Sequence, residues 1–310
     1  MVRPPELPRA ATARRPLPRL RERSRLVRLW RLWRTRSPRT FTDKVRYKML
    51  RDHRPLLVTF ADKAAVRDHV TAVLGPGYLP RVLAVLDDPR DLASLDLPEA
   101  YVVKPTHGSG AVVVVSPRAP QDAELPAAHH SWVYCHVRPD KADRAHLVAV
   151  AEHWRSRLYG QGPNREWVYG RITPRTLVEE LLQGPDGEVP DDVKFFVVHG
   201  TCRYVQVDSG RFGHRTQDFF TPEWEHLPLS GGPDWADPPH PRPAALAEMI
   251  DVAERLGRDT DFVRVDLYHL AGRVVVGELT NYPAGGDSPF DPPSFDALFG
   301  EPWTVPRRYR

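Results

Sequence analysis

Apolar and polar positions alternate most clearly in FVRVDLYHLAGRVVVGELTNYPAGGDSPF, residues 262–290. Phe262, Val263, Val265, Leu267 and Tyr268 make one β-branched and aromatic run. Arg273 to Leu279 make a second, joined to the first by a short turn at Ala271 and Gly272. The pattern predicts a hairpin with Asp266 and Glu278 on adjacent strands. Helical spacing predicts helices over 42–51, 61–74, 141–158, 244–256 and near 294–299, the second ended by Gly75, Pro76 and Gly77. Short apolar runs predict strands at 79–86, 101–104, 111–115, 177–182, 193–198 and 201–207. Residues 132–165 are a mixed polar and aromatic stretch. Residues 210–243, rich in Pro, Gly and Trp, are expected to form an irregular loop over a site. There is no internal repeat.

Composition narrows the class. With 310 residues, 41% of them hydrophobic, the chain can bury a sizeable core. No apolar run approaches the roughly 20 residues that span a bilayer, and the N-terminus lacks the apolar region of a secretory signal. A cytoplasmic location is therefore expected. Cys135 and Cys202 are far apart and without a CxxC spacing, which argues against a disulfide framework or a zinc site and for inert thiols.

Charge is unevenly spread. Residues 1–40 hold 13 Arg, no Lys and 2 Glu, a net of +11, so the remaining 270 residues carry −7 of the total of +4. The high isoelectric point belongs to a tail, and nucleic acid is not an expected partner. Within that tail Leu26, Leu29, Trp30 and Trp33 fall at helical spacing among arginines. Residues 20–36 therefore read as a basic amphipathic helix suited to an anionic membrane surface at the inner face, or as a helix docked on its own domain. Residues 1–20 are expected to be disordered.

The hairpin acids need an account. A carboxylate on a half-buried strand is neutralised by a cation, hydrogen bonds or solvent. Arg264 lies two residues before Asp266 and shares its face. Together they suggest a Mg²⁺–phosphate site, although two acids facing water on an exposed sheet would look the same. In YVVKPTHGSGAVVVV a lysine ends a strand before a Gly-Ser-Gly turn, an arrangement whose N–H groups can cover phosphates. A plain hairpin turn would use the same glycines. In LVEELLQGPDGEVPDDVKFFVVHG a strand ending in acids is followed by a loop and by alternating Asp192 and Lys194. Free backbone groups there suit an adenine edge and the acids suit ribose hydroxyls.

The order of lysine with glycine loop, acidic hinge, Asp-x-Lys, Arg-x-Asp and paired Glu resembles the ATP-grasp superfamily. The resemblance is closest to its TupA-like members, associated with bacterial cell-surface polymers such as teichuronopeptide. It covers residues 41–300 through DKVRYKML, LLVTFADKAAVRDHV, YVVKPTHGSG, PRTLVEELL, DDVKFFVVHG, DFVRVDLY and VVGELTNYPAGG. It implies an α+β fold in which two α+β subdomains grip a nucleotide between antiparallel sheets. Four segments follow: a basic tail at 1–40, a helix and strand lead-in at 41–100, a first subdomain with glycine loop and insertion at 101–182, and a second subdomain with the metal hairpin at 183–310. It implies ATP and Mg²⁺ as cofactors. Lys63 and Lys104 look like phosphate-side lysines, with Gly108, Ser109 and Gly110 as the covering loop. Glu179, Glu180 and the backbone of Leu182 look like the adenine hinge, and Asp192 like the ribose acid. Lys194 and Arg264 look like groups that neutralise the transferred phosphoryl. Asp266 and Glu278 look like Mg²⁺ ligands. Where the family pattern is Glu-x-Asn, this chain has Glu278-Leu279-Thr280-Asn281. Thr280 takes the Asn position and Asn281 faces the other way on a regular strand, unless a bulge before Tyr282 and Pro283 returns it to the ligand set.

The activity implied is an ATP-dependent carboxylate–amine ligase working through an acyl phosphate, with a carboxylate and an amine on a surface-polymer precursor as substrates. Rival classes are a glycosyltransferase-like enzyme using Asp266 for a nucleotide-sugar metal, and a non-catalytic nucleotide-binding membrane scaffold. Among the other polar groups, Arg211, His214 and Arg215 either close on phosphates, bind an acidic acceptor or stay solvated. His129 and His130 are expected at the surface. Trp132, Tyr134, Trp154, Trp167 and Tyr169 are expected to build core.

Overall fold

A computed structural model describes residues 33–160, 166–184, 187, 189–210, 213–270 and 272–309. Most of the expected helix 20–36, together with Arg211 and Ala271, lies outside the described residues. Three helices lead in: α1 (Phe41–Arg51), α2 (Pro55–Ala61) and α3 (Ala65–Leu74). The single helix expected over 61–74 is in fact the end of α2, a break, and α3. Asp62 makes the break, its Oδ1 accepting from the backbone N–H of Ala64 at 2.9 Å and Ala65 at 3.3 Å. Lys63 is thereby carried on a turn instead of a helix face.

The strands form two sheets of five. Sheet 1 runs in the order β1 (Val82–Leu86), β5 (Thr176–Glu180), β2 (Tyr101–Pro105), β3 (Val112–Val115), β4 (Tyr134–Val137). Its pairs are antiparallel except β3 with β4, which is parallel. Strand β4 was hidden in the mixed stretch 132–165. Helix α4 (Arg144–Ser156) packs Leu147, Val150, Ala151 and Trp154 onto this sheet, one apolar stripe at helical spacing.

Sheet 2 is antiparallel throughout, in the order β10 (Arg273–Thr280), β9 (Phe262–Leu270), β6 (Asp192–Val198), β7 (Thr201–Ser209), β8 (Thr216–Phe220). Strand β8 corrects the expected loop 210–243. Both faces of sheet 2 are covered, and the period of two sorts its residues. Val193, Phe195 and Val197 enter the core under α3 and α5 (Leu246–Gly257), whereas Phe196 and Val198 pack with α1 and α6 (Ser294–Gly300). Polar residues on that second face are confined to one end of the sheet, where the site lies.

A buried ionic knot fixes the lead-in and the C-terminal segment to β9. Lys48, fully buried, donates to Asp52 at 2.8 Å and Asp261 at 2.5 Å. Asp261 Oδ2 accepts from Trp303 Nε1 and Tyr309 OH, both at 2.8 Å. Removing one partner from such a knot strands a buried charge at about 3–5 kcal/mol. Both cysteines are free.

Candidate active site

Sheet register brings the polar residues of three strands into one row. Lys194 stands beside Asp266, and Asp266 beside Glu278. Phe196, Arg264 and Thr280 form the next row. Arg264 grips Asp266 with two bonds, Nε to Oδ1 at 2.7 Å and Nη2 to Oδ2 at 2.6 Å, and Nη2 also donates to Thr280 Oγ1 at 3.1 Å. Lys194 Nζ donates to Asp266 Oδ2 at 3.1 Å and to Asp192. Burial opposes charge on Lys194, but Asp192 and Asp266 outweigh it and raise its pKa. Burial likewise pushes the Glu278 carboxyl up, yet Lys63, Arg264 and Lys194 overcome this and hold it below the usual range. Burial raises the pKa of the Asp266 carboxyl against the opposing charges of Arg264 and Lys194, so of the two acids only Glu278 is held below its usual range.

Asn281, expected as a further ligand, is not brought to this row. Just past the end of β10, it is buried, with Nδ2 donating to Leu57 O at 2.8 Å. Thr280 Oγ1 instead donates to Glu278 Oε1 at 3.2 Å. The facing donors are therefore two carboxylates and a hydroxyl. All are oxygen, which suits a hard cation such as Mg²⁺ that takes its other ligands from phosphate and water. No group of three or more His, Cys, Asp or Glu that could cage a metal occurs among the described residues.

Sheet 1 supplies the opposite wall. Lys104 on β2 is paired with Glu179 on β5, and Arg67 Nη1 of α3 stands 3.6 Å from the same carboxylate. Glu179, expected at an adenine hinge, thus orients a lysine. Glu180 Oε1 accepts from Arg81 N at 2.8 Å. Leu181 and Leu182 line the cleft with Val102, Val114, Val276 and Leu279, an apolar slot for a flat group. Lys63 Nζ reaches the glycine loop and donates to Gly108 O at 2.5 Å. Burial lowers its pKa, with Glu278 the chief opposing charge.

The glycine loop is roofed by aromatic rings. Trp132 Nε1 donates to Ser109 O at 2.8 Å, and the Trp132 and Tyr159 rings stack at 5.2 Å. Gly108 has φ +79°, and a Cβ there would lie 2.6 Å from Trp132 and 2.7 Å from Tyr159, so only glycine fits. Of the aromatics expected in the core, Trp154 is buried, Trp132 covers this loop, and Tyr134 is 48% exposed and lines the cleft. His129 and His130 are exposed, as expected. Sequence reasoning missed Arg67, Gln206, Asp208 and Gln217. Only the alternation of Gln206 and Asp208 along β7 hinted at a polar face.

The cleft holds Lys63, Lys104, Ser109, Gly110, Glu179, Glu180, Leu182, Asp192, Lys194, Arg264, Asp266 and Glu278 in one enclosure between the sheets. Cations on both walls face a pair of carboxylates, with an apolar slot at one side.

The chain is similar to the crystal structures of D-alanine–D-alanine ligase from Bacillus anthracis (14% identity, 73% of this chain and 59% of that one, TM-score 0.38) and L-amino acid ligase from Bacillus licheniformis (15%, 75% and 46%, TM-score 0.40). It is also similar to that of D-cycloserine synthetase DcsG (14%, 80% and 70%, TM-score 0.41). It thus spans about half to three fifths of the first two. A search of curated proteins found no match. The model of the TupA-like ATPgrasp family matches residues 43–304, and the chain belongs to that family.

Proposed function

We propose that the protein is an ATP-dependent carboxylate–amine ligase acting on a cell-surface polysaccharide or peptide-polymer precursor. The observation that carries this reading is the Lys194, Asp266 and Glu278 row with Arg264, set across a cleft from Lys104, Lys63 and the glycine loop. The site has cations and acids on both sides of one cleft. Chemistry of this kind needs positioning and charge neutralisation more than a protein nucleophile.

In this reading the apolar slot beside Leu182 takes the adenine and Asp192 faces the ribose. The Gly108 to Gly110 loop covers the phosphates and Lys63 holds that loop in place. Asp266 and Glu278 would hold Mg²⁺, which supplies charge neutralisation at the phosphates. A substrate carboxylate oxygen bonds to the γ-phosphorus while the bond from phosphorus to the bridging oxygen breaks, and ADP leaves. Lys104, Lys194 and Arg264 stabilise the charge spread over the transferred group. The nitrogen of the second substrate then bonds to the acyl carbon, the carbon–oxygen bond to phosphate breaks, inorganic phosphate leaves, and the ammonium proton passes to water. Residues 20–36 would bring the enzyme to an anionic membrane surface on the cytoplasmic side.

The test is release of ADP and phosphate by the purified protein with Mg·ATP and paired acids and amines. Lys104→Ala and Asp266→Asn should each lower the rate by about 100-fold or more. ADP release that ignores both substitutions would refute the assignment.

A further inference from the structure

A second cavity, of about 370 Å³, opens beside the nucleotide cleft and shares Lys194, Arg264, Asp192 and Tyr134 with it. Its remaining wall comes from Phe196, β7, Arg215, β8, Gly231 and the segment 283–290. The register explains why this wall is polar. Gln206 pairs with Lys194 and Asp208 with Asp192 across β6 and β7, and Asp208 pairs with Gln217 across β7 and β8.

Asp208 organises the cavity. It accepts from Gln217 Nε2 at 2.7 Å and Gln206 Nε2 at 3.1 Å. Its Oδ2 also stands 3.6 Å from Lys194 Nζ and 3.5 Å from Arg215 Nη2. Two cations are therefore held one carboxylate apart. Lys194 is deep, with its side chain 7% exposed, whereas Arg215 is at the mouth and 55% exposed. When Arg215 swings to a ligand, Asp208 keeps both amide donors and Lys194, so no buried acid loses its partners. The Gln217 amide lies close against Gly231, where an added Cβ would fall 2.0 Å from Gln217 Oε1.

A monocarboxylic acid engages only the deep cations. An acid with anionic groups at both ends of a short spacer satisfies the deep pair and Arg215 together. We propose, resting on the ligase reading above, that this cavity binds the acid substrate and that the acid is a dianion. Its reacting carboxylate lies at Lys194 and Arg264, and its second carboxylate is held by Arg215.

Glutarate and butyrate share a carbon chain of similar length and differ in the second carboxylate, so they serve as probes. Their binding to the full chain with Mg²⁺ and a non-hydrolysable ATP analogue is measured by calorimetry. Glutarate should bind at least ten-fold more tightly, and Arg215→Gln should erase that preference while the affinity for the nucleotide analogue stays the same. Gly231→Ala, which displaces the Gln217 amide and brings a methyl to 3.2 Å from the Phe219 ring, should weaken glutarate several-fold. Equal or no binding of the two acids, or a preference that survives Arg215→Gln, overturns the proposal. Repeating the experiment with ATP and hydroxylamine separates the two readings. Selective glutarate binding without hydroxamate leaves the cavity standing as a dianion site and removes the ligase reading, and with it the substrate role. Hydroxamate formed as readily from butyrate removes the dianion and leaves the ligase.

Discussion

Along β10, Val274 and Val276 point into the core under α5, and so does Leu279, three positions after Val276. Strict alternation would have sent Glu278 into that apolar core. The register instead slips between Val276 and Glu278, and the extra residue is Gly277. The bulge turns Glu278 and Thr280 toward Asp266 and Arg264. A Cβ on Gly277 would lie 2.7 Å from the Tyr268 ring and 3.3 Å from Asp266 O. Gly277→Ala should therefore keep the fold, at a cost of about 1–3 kcal/mol, and weaken Mg·ATP binding about ten-fold by displacing Glu278, a binding loss of about 1.4 kcal/mol. An unchanged dissociation constant in a titration would show that the bulge does not set the site. Individual charges were legible from sequence because Asp266, Glu278 and Arg264 interrupt apolar runs. The bulge was not, since a glycine inside a strand pattern signals one without saying which way later side chains turn.

At the level of elements, the lead-in helices present Lys63, which reaches the glycine loop and is proposed to hold it over phosphates. The turn at residues 62–64 joins α2 to α3, and Asp62 ties it through the Ala64 and Ala65 amides while Arg175 Nη2 stands 3.4 Å from Oδ2. Lys63 N also donates to Thr106 O at 2.9 Å, which docks the turn on the start of the glycine loop. Asp62→Ala should cost about 1 kcal/mol of stability and raise the KM for ATP with less effect on kcat, measured by denaturant unfolding and steady-state kinetics. A fall in kcat at constant KM would contradict a positioning role. The sequence reading started one helix at Ala61 and so missed α2 and ran through the break before α3, because an aspartate cap inside an apolar run carries no periodic signal. It missed β4 and β8 for another reason. Both are short and lie in polar or Pro-rich surroundings, and they are strands because β3 and β7 offer them an edge.

For the whole molecule, two sheets built from separate parts of the chain face each other, each bringing what the other lacks. Sheet 1 contributes Lys104 and the covering loop, sheet 2 the acids, Lys194 and Arg264. The order of motifs was readable because a chain that crosses from one sheet to the other must present them in sequence. The second cavity was not readable, since Gln206, Asp208, Arg215 and Gln217 meet only through cross-strand register. The central claim is that this enclosure activates a carboxylate with ATP. Its most direct test is hydroxylamine trapping: protein, Mg·ATP and a carboxylic acid are incubated with hydroxylamine, and hydroxamate and ADP are quantified together. Hydroxamate and ADP should form in equal amounts, and Asp266→Asn should abolish both. ADP formed without hydroxamate, or hydroxamate that persists in Asp266→Asn, would contradict the account.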